Sequence, residues 1–596
     1  MLFDFRSATS PGRPVLRAAA SVLLFFASIF LAHAADAATY YVRTDGGSAA
    51  QCTGLANVAY SGSGSGQACA WSHPFIALPP AGNPARIAGG DTLIIGHGSY
   101  MMGYGAPETG GCYQNSAYDC IMQTVPSGLD ATHPTRILGE GYDQGCPAAP
   151  QLWGTQRAYA IVQIRGTQGG TQASNIEVGC LEMTDHSSCI ENHCSAGNCT
   201  GGADQIDRCR RDAYPFGTWA ENGLIASDAS NVLIHDLNIH GLGAEGVRAG
   251  RLTDWTIQKV RIWANGFAGW DADIRNGVPT NDTSYHGTIH FTNLEIAWSG
   301  CGERYPSGEI FGCWDQNEGG YGDGFGAGPT GGTWIFEDSH IHHNVSDGLD
   351  LLYGDATANV TYRRVKAEDN AGNQLKASGN VTIENSIVIG TCAMPWSVSP
   401  VNNYDGPTPP QYVGRYNMEL SGNCRASGDS ISLKPHPGNA VVVRSNTITG
   451  QGNCQVMWTG GDATSTVLIA NNAIYGGNND WLTMATGGGN RLTCGIYAYN
   501  SPATLTTVNN LLWHVRNDQC PTGSHCTDPG LSSDDLASFD PLPLPNSPLI
   551  NNADAANSPA TDYRGVLRPA LGADDIGAIE YRGLEIEDPI FNGSFD

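Results

Sequence analysis

Residues 231–241 read NVLIHDLNIHG, residues 254–266 read DWTIQKVRIWANG and residues 287–300 read GTIHFTNLEIAWSG. Each holds a bulky apolar residue, four mostly polar ones and a second apolar residue: Ile234/Ile239, Ile257/Ile262 and Phe291/Ile296. The phrase returns as Phe336/Ile341, Tyr362/Ala367, Ile383/Val388, Val443/Ile448, Ile469/Ile474 and Val508/Trp513, nine occurrences with one internal spacing of five. Alternating inward and outward residues give a strand of period two. The Asn, Asp or Ser that follows marks a turn, because these side chains bond the local backbone and tolerate a left-handed conformation. The tightest spacings between phrases are 21, 23 and 26 residues, about one coil; spacings of 34, 39, 45 and 60 are coils with looped insertions. One coil cannot bury its apolar face, whereas stacked coils share a continuous core. A helical solenoid would need amphipathic segments of ten or more residues, and this region has none. The expected fold is all-β: a single-stranded right-handed parallel β-helix, with regular coils over 231–515, long disulfide-stapled loops and capped ends.

The first residues read as an address. Arg6, Arg13 and Arg17 precede the apolar run Ala18–Ala32, and small-residue cleavage options follow at Ala32-His33-Ala34 and Ala35-Asp36-Ala37. This is the pattern of an export signal over residues 1–37. The run is short for a membrane span of roughly 20 residues, so the expectation is a secreted or cell-surface protein without a span after signal removal. Eighteen cysteines lie beyond it, and an even count in an exported chain favours disulfides. Their connectivity cannot be read from spacing. Cys180, Cys189, Cys194, Cys199 and Cys209 cluster around His193, yet no C-x-x-C pair is present, so stapled loops are preferred to zinc. The formal net charge of −27 excludes a nucleic-acid footprint. It also disfavours polyanions unless cations such as calcium bridge the two.

The opening stretch 38–100 (TYYVRTDGG, WSHPF, GGDTLIIGHGSY) resembles the first coil of secreted β-helix proteins in the pectate-lyase-like group, and 546–580 resembles their closing segment. The resemblance implies an N-terminal cap over 38–100 and a C-terminal cap within 516–580, which would block strand-on-strand aggregation. Residues 101–230 read as loop-rich early coils or a separate small domain. Residues 581–596 read as a tail.

The chemistry-bearing region is 315–376. It contains DQNEGGYGDGFGAG, then HHNVSDGLDLLYGD, then AEDNAGNQLKASG. Lys376 follows Asp350 by 26 residues, about one coil. Residues one coil apart become neighbours roughly 4.8 Å apart, so Asp323, Asp347, Asp350 and Lys376 can converge on one outward face. Here the run S-D-G-L-D resembles the D-D-G-x-D calcium signature of family-nine pectate lyases, and GNQLKASG resembles their G-N-x-x-K-x-x-G phrase. The resemblance implies Ca²⁺ held by Asp323, Ser346, Asp347 and Asp350, with Lys376 as catalytic base. Two departures stand out: Ser346 replaces the first Asp of the pair, and the segment leading to the lysine is shorter. Only four of 30 basic residues are Lys (Lys259, Lys366, Lys376 and Lys434), and Lys, unlike Arg, can lose its proton.

The function this implies is a calcium-assisted lyase acting as a monomer on an acidic, uronate polysaccharide by β-elimination. Arg363 or Arg364 is positioned by sequence to hold a uronate carboxylate bidentately, with ordinary surface arginine as the bland reading. Turn chemistry alone also explains Asp-Gly phrases on such a fold. His340, His342 and His343 could form a metal or acid–base cluster, and Asp271/Asp273 could support glycoside hydrolysis. A second phrase around Lys434 (SGDSISLKPHPGN) resembles another β-helix lyase family but lacks its following Arg. The competing functions are a β-helix glycoside hydrolase and a non-catalytic cell-surface glycan-binding protein.

Overall fold

In the computed structural model each phrase folds as two short strands meeting at one left-handed residue. Asp236, Lys259, Asn293, Asp338, Arg364, Asn385, Ser445 and Asn471 occupy this corner, with φ between 48° and 56°. In the ninth phrase the corner is Asn509, φ 45°. Thr507 and Leu512 therefore continue the columns of Ile469 and Ile474, and the expected pair Val508/Trp513 is corrected by one residue. A one-residue slip exchanges the two faces of a strand, and it is Leu512 that is buried in the core.

The structure describes residues 37–583 except 81–82, 111, 113–119, 156–157, 168–170, 187–219, 273–284, 312–321, 391–427, 451, 477–492 and 517–519. All but the last residue of the expected signal segment lies outside these bounds, as do most of the tail and, of the cysteines around His193, all but Cys180.

Successive coils pair in parallel along three columns. Sheet 1 stacks Val247, Trp270, Phe325, Leu349, Leu375, Ile431, Val456 and Ile496. Sheet 2 stacks Ile257, Phe291, Phe336, Tyr362, Ile383, Val443 and Ile469. Sheet 3 stacks Ile262, Ile296, Ile341, Ala367, Val388, Ile448 and Ile474. With the right-handed crossover that parallel strands favour, the chain is a right-handed parallel β-helix. The stacked inward residues are buried and form one core, with Ile496 half-buried against its end; Phe291 lies flat on Phe336 at 4.4 Å. Buried amides run up the corners. Asn344 donates to Asn370 at 2.7 Å, and Asn446 to Asn472 and Asn472 to Asn510 at 2.9 Å each, so polar groups inside the stack satisfy one another.

A glycine precedes the sheet 1 strand in five consecutive coils. A Cβ on Gly223, Gly246, Gly269, Gly324 or Gly348 would come within 2.4–2.8 Å of the next coil's carbonyl oxygen. The backbones there approach too closely for any side chain. This tight turn delivers the chain onto sheet 1.

The first strand, Thr39–Gly47, pairs with Thr92–Ile95. Between them a four-residue helix, Pro74–Ala77, is wholly buried. Coils already run through the loop-rich stretch, where Ile137, Val178 and Ile234 continue sheet 2. Four disulfides join described residues: Cys52–Cys69, Cys146–Cys180, Cys454–Cys494 and Cys520–Cys526. Beyond the last coil, the C-terminal residues lie along the side of the stack. Tyr563, Ala578 and Ile579 cover Ile387 and Ile389, while Leu531, Leu549 and Ile576 cover Ala473 and Leu511 on sheet 3. No helix among the described residues is long and apolar enough to cross a membrane.

Candidate functional site

Sheet 1 places one outward residue per coil in a column: Arg248, Asp271, Gly326, Asp350, Lys376, Ser432, Met457 and Tyr497. The turn that feeds the sheet places a second column beside it, with Asp323, Asp347 and Asn373 in successive coils. The Gly324 N–H donates to the Asp347 carbonyl and the Gly348 N–H to the Asn373 carbonyl, at 2.8 Å each. Asp350 and Lys376 are direct register partners.

The two columns meet in a charged cluster. Oxygens of Asp323, Asp347 and Asp350 lie within 4.8 Å of one another, and all three residues are buried. The Lys376 Nζ donates to Asp347 Oδ2 at 2.8 Å and to Asp350 Oδ2. Asp323 accepts from the Asp347 N–H at 3.0 Å and from the Ser346 hydroxyl. Asp347 Oδ1 accepts from the Asn373 backbone and side-chain amides at 2.6 and 2.8 Å. The Leu352 N–H donates to Asp350 Oδ1 at 2.9 Å. Ser346 is fully buried; its hydroxyl steadies Asp323 and is not among the converging carboxylate oxygens.

Burial pushes the Asp323 carboxyl up to about 7, and the charges of Asp347 and Asp350 add to the rise. Asp350 is likewise raised, first by burial. For Lys376 burial works toward the neutral amine, but Asp347, Asp350 and Asp323 outweigh it and raise its pKa. The cluster thus holds three carboxyls around one ammonium.

The structure does not bring Arg363 and Arg364 to this cluster. Arg363 sits on sheet 2 between Glu337 and Glu384, with its Nε 2.6 Å from Glu384. Arg364 is a corner residue, paired at 2.5 Å with Asp338 at the corner of the preceding coil. His340 pairs with Glu368 at 2.7 Å and His342 with Glu295 at 3.4 Å, both on sheet 3. Burial lowers His340 to about 4 and His343 to about 3. Among the described residues, the three aspartates are the one group of His, Cys, Asp or Glu side chains that converges as ligands do. Asp271 joins the sheet 1 column next to Arg248, whereas Asp273 falls outside the described residues. What the sequence reading missed is that column as a whole. Its signal was a second phrase, Gly–apolar–x–apolar, present as GVRA, GWDA, GFGA and GLDL.

No family model and no curated protein sequence matches this chain. Solved structures match it weakly. A pectate lyase, Pel9A, shares 14% identity over 91% of this chain and 96% of that chain, at a TM-score of 0.39. The A-module of the mannuronan C-5 epimerase AlgE4 of Azotobacter vinelandii shares 11% over 73% and 91%, at 0.34. The surface adhesin PfbA of Streptococcus pneumoniae shares 9% over 74% and 85%, at 0.33. Likenesses this low carry no argument about the chemistry of the site.

Proposed function

We propose that sheet 1 carries the centre of a calcium-assisted lyase that cleaves an acidic, uronate-containing polysaccharide by β-elimination. The observation that supports this reading is the buried Lys376 ammonium bonded to Asp347 and Asp350 beside a third carboxyl, Asp323. Three hard oxygen donors within 4.8 Å of one another can all reach one ion at the roughly 2.3–2.6 Å that calcium prefers. Asp323, Asp347 and Asp350 would hold it. When bound, calcium neutralises the uronate carboxylate and stabilises the enolate-like charge that develops at C5.

Lys376 accepts the C5 proton, for which it must be the free amine. Uncompensated carboxylates favour its ammonium, while burial favours the amine. Its protonation is therefore set by how much carboxylate charge around it is left unmatched. Asn373 holds Asp347 through two hydrogen bonds, and Ser346 steadies Asp323. The disulfides and the N-terminal run support an exported protein, secreted or at the cell surface, and a monomer suffices for the site.

The full chain should be incubated with polygalacturonate and with alginate, with calcium and with chelator. The expected result is a calcium-dependent rise in the ultraviolet absorbance of an unsaturated product. Lys376→Ala should lower the rate by about 10²–10⁴-fold. New reducing ends without that absorbance would mean hydrolysis, and binding without either would mean a glycan-binding protein; both outcomes would overturn the lyase reading.

A further inference from the structure

Four tyrosines are the exposed large aromatic residues among the described ones: Tyr305, Tyr353, Tyr497 and Tyr499. Three of them belong to sheet 1 or the turn leaving it. Tyr497 is 45% exposed and Tyr499 53%, and their rings lie 6.3 Å apart. Tyr497 closes the column that runs from Lys376 through Ser432 and Met457. The parallel outward column, two residues along each strand, pairs Ser378 with Lys434 and Thr459 with Tyr499. Lys434 is exposed, so two of the four lysines lie on this face.

The two arms of the sheet differ in charge. On the N-terminal side, Arg248 is surrounded by Glu245, Asp271 and Glu221. On the C-terminal side, the outward columns hold Ser432, Met457, Tyr497, Ser378, Lys434, Thr459 and Tyr499, with one cation, and the turn that feeds the sheet adds a single buried carboxyl, Asp429. An anionic chain is repelled by the first arm and accepted by the second.

We infer that an acidic glycan leaves the Asp–Lys cluster toward the C-terminal end of sheet 1, crossing Lys434 and stacking on Tyr497 and Tyr499. This rests on the reading of that cluster as the centre of an enzyme for acidic glycans. The coil spacing of about 4.8 Å is close to the length of one sugar in an extended chain, so each coil offers about one subsite. Tyr497 stands three coils beyond Lys376, roughly 14 Å away at that spacing. Lys434 supplies a charge for one uronate carboxylate. The tyrosine faces supply apolar area for sugar C–H groups, with few rotors to freeze.

The test compares Tyr497→Ala/Tyr499→Ala and Lys434→Gln with the wild-type chain on a uronate trisaccharide and a uronate octasaccharide. A trisaccharide seated at Lys376 falls short of the tyrosines, whereas an octasaccharide covers them. The expected result is a rise of about tenfold in KM or Kd for the octasaccharide, with kcat retained; the tyrosine double variant leaves the trisaccharide unaffected, whereas Lys434→Gln, one coil from Lys376, weakens both lengths. Equal effects of the tyrosine double variant on both lengths, or no effect of either variant on the octasaccharide, would overturn the path while leaving the lyase reading intact. Wild-type chain that binds the octasaccharide without cleaving it would overturn the lyase reading, and the path would stand if the variants still weaken Kd. Failure to bind either oligosaccharide would overturn both. The three side chains are exposed, so unchanged melting temperatures confirm that the variants fold.

Discussion

Sheets 1 and 2 use the same coil spacing to stack charge, with opposite outcomes. On sheet 2 the outward column runs Glu337, Arg363, Glu384, Arg444, alternating in sign from coil to coil. Burial works to raise the Glu384 carboxyl, but hydrogen bonds from Arg363 and Arg444 prevail and hold it below the usual range. On sheet 1, Asp323, Asp347 and Asp350 gather around a single lysine, and Asp323 and Asp350 are pushed upward instead. A column that alternates in sign satisfies itself and serves the fold. A cluster of like charges is maintained against its own repulsion, and perturbed groups of this kind concentrate at functional sites.

The largest effect should come from removing the cation held by the three aspartates. Lys376→Met leaves Asp347 and Asp350 buried without a counter-charge, which costs about 3–5 kcal/mol in urea denaturation with chelator present. Millimolar calcium should restore much of that loss by binding the folded state. A variant as stable as wild type in chelator would erase the contrast between the sheets.

A smaller effect follows from Asp323. Its pKa of about 7 in the folded protein exceeds the roughly 3.9 of an unfolded chain. The stability it contributes is therefore present below the unfolded value and lost as pH rises through about 7. Sheet 3 runs the other way. His340 and His343 are lowered to about 4 and about 3, so their contribution is present above the unfolded value of about 6.5 and lost as pH falls. In metal-free protein, Asp323→Asn should abolish the loss between about pH 5 and about pH 8, a relative gain on the order of 1–2 kcal/mol. An unaltered pH profile of stability would show that Asp323 is not the group under strain.

The smallest effect belongs to sheet 2. Arg363→Met should cost about 1 kcal/mol, since the arginine itself is more than a third exposed and Arg444 still serves the buried Glu384. It should leave both turnover and calcium dependence unchanged. A selective rise in KM for uronate substrates would instead return Arg363 to a substrate role and narrow the distance between the two columns.

The fold was legible because its corners are chemically marked. Asn293, Asn385 and Asn471 stand where the backbone turns left-handed, and an apolar residue flanks each at fixed spacing. The same corner also accepts Arg364 and Lys259, where a long basic side chain conceals the turn; this is how Arg364 came to look like a ligand. The Asp–Lys cluster was half legible. Coil length correctly brought Asp350 beside Lys376, since 26 residues is one uninterrupted coil. It gave no warning that Arg363, only 13 residues before Lys376, faces outward from a different sheet. The sheet 1 phrase was harder to see because insertions before Gly324, Ser430 and Gly495 space it unevenly. Arg248, Ser432 and Tyr497 consequently never read as members of one line.

The lysine lodged among the aspartates has a consequence for ion selectivity. Any cation that enters the triad must evict an ammonium attached to the same chain. A tethered rival is present at an effective concentration far above that of dissolved ions. Sodium or potassium, bringing no more charge than the group it replaces, competes at a loss. A doubly charged ion would bring enough to win, and on the proposed lyase reading the ammonium it displaces, facing fewer unmatched carboxylates, would lose its proton to solvent and become the amine that the base must be. On that reading, loading the site and arming the base would be one exchange rather than two events.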